Sequence, residues 1–158
     1  MTRRSAEHLR AAPWVALGLA GLLGYGTLKV VWALGGTWGV TDPARWRADL
    51  AALAGPELVA AFWGTVVLDL VGLALLLVLA RSARRRGAPV VLRAVAWAGA
   101  VVLGVAAVAG LVVTVAVPSP AGTDPLATWV YLVVYGSFGL VALALGRLAL
   151  VSRRPRVP

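Results

Sequence analysis

The sequence predicts an all-α, polytopic membrane protein with four transmembrane helices, both termini on the cytoplasmic side, and a short amphipathic helix in the first outer connection. Three observations carry this expectation. Of the 158 residues, 61% are hydrophobic and only 13% are charged, whereas a soluble domain is about 45–50% apolar and about 25% charged. The apolar residues, with mean hydropathy +0.89 over the chain, gather in four runs near the ~20 residues that cross a ~30 Å hydrocarbon core. The arginines fall almost entirely in the segments on one side of these runs. The whole chain, 1–158, reads as a single integral membrane domain.

The first span is expected at 13–34. It follows Arg3, Arg4 and Arg10, as a signal peptide would, and Ala33-Leu34-Gly35 would serve as a cleavage site. Its apolar run exceeds the usual ~7–15 residues and contains Lys29, so it reads as a retained helix. Between 35 and 57 lies the first outer segment. There Asp42-Pro43 is a helix start, with Asp as N-cap and Pro at the first helical position. Gly55-Pro56 reads as a stop. Trp46, Leu50 and Leu53 share a face, which predicts an amphipathic helix over 43–54, lying on the outer membrane surface or capping the bundle. The remaining spans are expected at 58–80, 94–117 and 126–146. All four runs are far longer than the ~9–11 residues of a membrane strand.

Twelve arginines lie in the N-terminal tail, in the 81–93 connection and in the C-terminal segment from Arg147 onward. Only Arg45 and Arg47 lie on the other side, with Asp42, Asp49, Glu57 and Asp124. The positive-inside rule then puts both termini in the cytoplasm. Arg81, Arg84, Arg85 and Arg86 are a topology signal, and the same cluster could bind anionic lipid headgroups. A pI of 11.6 would suggest nucleic acid in a soluble chain. Here the placement of the arginines explains the charge, and no nucleic-acid partner is expected. The expected partners are the bilayer and either a second copy or another membrane protein.

Two further patterns concern packing. Thr123-Asp124-Pro125 with Trp129 repeats Thr41-Asp42-Pro43 with Trp46, and Leu92-Arg93-Ala94 with Trp97 repeats Leu9-Arg10-Ala11 with Trp14. These offsets suggest two tandem hairpins, a parallel repeat of the kind some transporters use. Gly18, Gly21 and Gly24, Ala100, Gly104 and Gly110, and Gly139, Ala142 and Gly146 provide small-residue faces for close helix approach. Trp14, Trp32, Trp38, Trp46, Trp97 and Trp129 form the expected interfacial belt.

Chemistry is scarce. Cysteine is absent and the one histidine, His8, lies in the N-terminal tail. The lack of cysteine excludes disulfides and thiolate metal sites, and a single tail histidine leaves a histidine-based nucleophile pair almost nothing to work with. No metal cluster, phosphate loop or nucleophile elbow is present, so neither a cofactor nor an enzymatic activity is expected. A Schiff base on Lys29 is the one catalytic idea left, and nothing else supports it.

Lys29 and Asp69 interrupt their spans, and an intramembrane charge costs about 2.5–3.5 kcal/mol on insertion scales unless it faces a partner or a cavity. At ~1.5 Å per residue, Lys29 lies about 9 Å below Gly35 and Asp69 about 16 Å below Leu58. Helical spacing aligns Tyr25, Lys29 and Trp32 with Gly36, and Phe62, Thr65 and Asp69 with Gly72. It also aligns Thr128, Tyr131, Tyr135 and Phe138, and places Ala107 and Gly110 with Thr114. The expectation is a polar, outward-opening pocket of Tyr25, Lys29, Trp32, Thr65, Asp69, Thr114, Tyr131 and Tyr135. Three readings of the charges stand. They form a structural ion pair; Lys29 snorkels toward Glu57 while Asp69 is protonated; or Asp69 is a proton or cation site with Lys29 as counter-ion. The leading function is a non-enzymatic accessory or ligand-binding protein, and the alternative is a small proton- or cation-coupled transporter.

The stretch Lys29-Val-Val-Trp32-Ala33-Leu-Gly35-Gly36-Thr-Trp38-Gly39 resembles the mark of the DUF3995 family, small bacterial four-span membrane proteins without an established function. The family pattern is similar to His-x-Tyr-Trp-Ala-x-Gly-Gly-x-Trp-Gly. Trp32, Ala33, Gly35, Gly36, Trp38 and Gly39 match it; Lys29 stands where the pattern has His, and Val31 where it has Tyr. The resemblance implies the four-span fold and a place in a bacterial inner membrane. It implies no substrate.

Overall fold

The computed structural model describes residues 3–52, 55–84, 87–117 and 125–152. Among them six α-helices occur: α1 (Arg3–Ala33), α2 (Pro43–Ala52), α3 (Gly55–Leu58), α4 (Thr65–Arg84), α5 (Val90–Ala116) and α6 (Thr128–Val151). A π-helical turn, Val59–Gly64, joins α3 to α4. Four stretches are long and apolar enough to cross a membrane: Ala11–Ala33, Thr65–Ala83, Val90–Ala116 and Thr128–Val151. The chain is an integral, multi-pass membrane protein.

The boundaries differ from expectation in informative ways. Helix α1 runs through Pro13. Gly55-Pro56 starts a helix instead of ending one, because a proline in the first turn gives up an N–H that has no intrahelical acceptor. Helix α5 begins four residues early, directly after Pro89, and α6 continues to Val151. Leu53, Thr123 and Asp124 lie outside the described residues.

Helix α6 is the central element. It packs along α1 on one side and α5 on the other, α4 packs on α1, and α4 and α5 barely touch. A two-fold pair of hairpins would make the α1–α6 and α4–α5 contacts equivalent, and they are not. The end holding the α4–α5 connection is filled by Leu76, Leu79, Ala96, Ala144, Leu145 and Leu148, all nearly or fully inaccessible. There Gly87, at φ +84°, donates its N–H to the Ser82 carbonyl, and Ala88 N–H donates to the Ser152 carbonyl. The first bond ties Gly87 to the end of α4, and the second ties Ala88 to the end of α6. The small-residue faces act as expected. A Cβ at Gly18 would lie 2.7 Å from Leu76 Cδ1, and one at Gly21 2.7 Å from the Ser137 carbonyl oxygen.

At the opposite end the connections clasp one another. Gly35, at φ +82°, and Gly36 close α1 as a Schellman cap, with Gly36 N–H donating to Val31 O and Gly35 N–H to Trp32 O. Trp32 Nε1 donates to the Trp38 carbonyl at 2.9 Å. Gly39, at φ +72°, lies so close to α6 that a Cβ would fall 2.2 Å from Val130. Ala127 N–H donates to Gly39 O, and Thr41 N–H to Pro125 O, around the Val40–Leu126 bridge. Asp42 Oδ1 then caps α2, accepting from Ala44 N–H and Arg45 N–H at 3.0 Å each. Trp46 sits 5.7 Å from Trp32, centroid to centroid, and with Leu50 packs on the Leu28–Trp32–Val130 cluster. Helix α2 is therefore a cap on the bundle.

Candidate functional site: the Lys29–Asp69 cleft

Lys29 is only 4% exposed. Its Nζ donates to Asp69 Oδ2 at 2.8 Å and to the Thr65 carbonyl at 3.3 Å, and it stands 4.0 Å from the centre of the Tyr25 ring. The ~7 Å depth difference expected from counting residues is closed by side-chain direction. Cα–Cβ bonds tilt toward a helix's N-terminus. In α1 that carries Lys29 deeper, over Tyr25 one turn back. In the antiparallel α4 it carries Asp69 the other way, toward the lysine. The lysine pairs with Asp69 and does not reach for Glu57. The π-turn ends at Gly64, immediately before the Thr65 carbonyl that Lys29 uses. A π-turn interrupts the regular i→i−4 ladder, and such interruptions recur at functional sites.

The two charges are not equally satisfied. The ammonium has an anion, a carbonyl and a ring face. The Asp69 side chain is 26% exposed, and its Oδ1 accepts no hydrogen bond from the described residues. Beside it is a cavity of about 230 Å³ floored by α1 and α6 and walled by α4 and by Leu103 of α5. Of the eight residues grouped from the sequence, Tyr25, Lys29, Thr65 and Asp69 line it.

The other four expected members lie elsewhere. Trp32 is turned into the loop clasp by its bond to Trp38. The Thr114 hydroxyl donates to the Gly110 carbonyl of its own helix at 2.8 Å. The Tyr135 ring covers Gly110 so closely that a Cβ there would fall 2.2 Å from it, and Tyr131 stacks on Tyr135 at 6.5 Å. Both tyrosines thus belong to the upper α5–α6 seam, where glycine makes room for the ring. An aromatic path, Tyr135–Phe138 at 6.2 Å and Phe138–Tyr25 at 5.4 Å, connects that seam to the cleft. Ala107 faces Gly139, so the small face of α5 packs on α6 and does not enter the cleft.

Sequence reasoning missed Ser137 and Leu103. Ser137 is 6% exposed and lines the cavity. A serine inside an apolar span was its available signal, but the aromatic face chosen on α6 lay one residue away. Leu103 carried no signal. Of the arginine cluster, Arg81 is exposed at the end of α4, Arg85 and Arg86 lie outside the described residues, and so does the side chain of Arg84. The Phe62 side chain is also outside them. Arg147 stands 5.0 Å over the Trp14 ring at the same end. No cluster of three or more metal-ligating side chains occurs among the described residues.

No protein-family model, curated protein or solved structure matches this chain.

Proposed function

We propose that this protein is a non-enzymatic, ligand-binding membrane protein whose site is the cleft headed by Lys29 and Asp69. The carrying observation is the asymmetry of the pair. A purely structural ion pair is expected to satisfy both partners, because an unmatched lone pair in a low-dielectric interior is costly. Here the lysine is buried against an anion, a carbonyl and a ring face, while the Asp69 side chain is 26% exposed and lines a cavity. Lys29 is then the fixed partner that holds Asp69 in place at 2.8 Å, and Asp69 is the acceptor a ligand meets.

Two features support this reading over cation-coupled transport. The described residues beyond the cleft are densely packed, with Leu76, Leu79 and Leu148 fully buried between it and the arginine-rich end. The pair is also internally neutralised at 2.8 Å, which weakens its pull on a second cation. The same proposal places the protein in a bacterial cell membrane with the arginine-rich end and both termini on the cytoplasmic side. It keeps the chain as a DUF3995-like protein on the Trp32–Gly39 motif. In this chain that motif builds the helix cap and the loop clasp, and only position 29 reaches the cleft.

Native mass spectrometry of gently extracted protein tests the reading, with Gly72→Leu as comparison. Gly72 lines the cavity, and a Cβ there meets only Leu22, at 3.7 Å. A side chain added there starts in open space and projects into the cleft. A bound small molecule carried by the parent and absent from the variant supports the reading; identical adducts on both refute it.

A further inference from the structure

Resting on that reading, we infer the ligand class: a neutral amphiphile with one hydrogen-bond-donating head, such as an alcohol or a primary amide, and a single hydrocarbon chain, entering sideways from the bilayer. Three observations lead to it.

The first is charge. The site already holds one ammonium and one carboxylate in contact, so only a neutral head leaves it neutral. An anion would face the Asp69 carboxylate, and the lysine that could attract it is 4% exposed and already held by Asp69 and the Thr65 carbonyl. A cation would have to displace Lys29 from a contact that the Thr65 carbonyl and the Tyr25 ring also hold. A hydroxyl or amide N–H needs only the free Oδ1.

The second is shape. From Lys29 to Gly21 the cleft follows α1 for eight residues, about 12 Å, and past Asp69 and Ser137 its lining is apolar. Its volume of about 230 Å³ lies below the ~300–1,000 Å³ of sites for drug-sized ligands. One chain fits it, and a two-chain lipid does not.

The third is access. Helices α4 and α5 bound the cleft yet barely touch, and Leu68 on its rim is 67% exposed. Nothing described closes that side. A larger furrow of about 490 Å³ runs along the α5–α6 seam, but it is floored by small apolar residues and offers no comparable acceptor.

The test is photolabelling of the reconstituted protein with a decanol analogue carrying a diazirine on its chain. Saturable labelling of peptides containing Leu68 to Gly72 and Leu103 is expected, and its loss in Gly72→Leu. Decanol and decanamide should compete, while decane, decanoate and decylamine compete about tenfold less well, the effect of one hydrogen bond to a charged acceptor. If decane, decanoate or decylamine competes as well as decanol, the ligand class is wrong and the cleft remains a binding site. If labelling is unsaturable, or unchanged in Gly72→Leu, the cleft binds no such ligand and both proposals fall.

Discussion

Breaking the Lys29–Asp69 pair from either side should have unequal and strongly coupled effects. Asp69→Asn leaves an ammonium that is 4% exposed with an amide oxygen, the Thr65 carbonyl and the Tyr25 ring. Removing one partner of a buried pair costs about 3–5 kcal/mol. The surviving acceptors put this variant near the lower end, about 3 kcal/mol. Lys29→Met leaves a carboxylate whose side chain is 26% exposed and so only partly desolvated, and about 2 kcal/mol is expected. The double variant holds no charge and should lose only about 2 kcal/mol, far less than independent effects would give. At roughly 2–4 °C per kcal/mol for a chain of this size, Asp69→Asn melts about 6–12 °C below the parent. The measurement is a melting series of the four proteins in one detergent. Losses that add within about 0.5 kcal/mol would refute the claim that the pair acts as a unit, and with it the role of Lys29 as the fixed partner of Asp69.

Further outcomes follow from the packing. Gly39→Ala must place a Cβ 2.2 Å from Val130 at φ +72°, so it should destabilise by more than about 2 kcal/mol. Gly35→Ala, at φ +82° with open space around it, should cost only about 1 kcal/mol; equal melting losses would show that the clasp is not tight. Gly110→Ala, against the Tyr135 ring, should lower the melting temperature, while Gly136→Ala, with nothing within 4 Å, should not. Asp42→Ala removes the cap of α2, worth about 1 kcal/mol; amide exchange should quicken at Ala44 and Arg45 and stay unchanged in α6. The chain has no cysteine, so Asp49→Cys and Ser82→Cys report sidedness directly. An impermeant maleimide added outside intact cells should label the first and spare the second, and the reverse pattern would invert the topology.

Much of this protein is legible in its sequence, for local reasons. Span length and arginine placement follow from the thickness and polarity of the bilayer, which act on any segment whatever its neighbours. The Asp42 cap and the Gly35-Gly36 end of α1 involve bonds within a few residues. The Lys29–Asp69 pairing was foreseeable because an intramembrane charge needs a partner and few exist. Tertiary structure decided the rest. Tyr131, Tyr135 and Thr114 share a depth range or a face with the charged pair, yet they sit on the α5–α6 seam. The rotation of α6 is set by its packing on both α1 and α5, which helical periodicity in one segment cannot encode. Trp32 lies on the face of Lys29, but its indole N–H is taken by a carbonyl six residues on, once the loop folds back. The cleft exists because α4 leans on α1 and leaves α5, an arrangement set by where glycines let backbones meet. Depth and periodicity are properties of one helix in a membrane. Which faces meet depends on all four helices together.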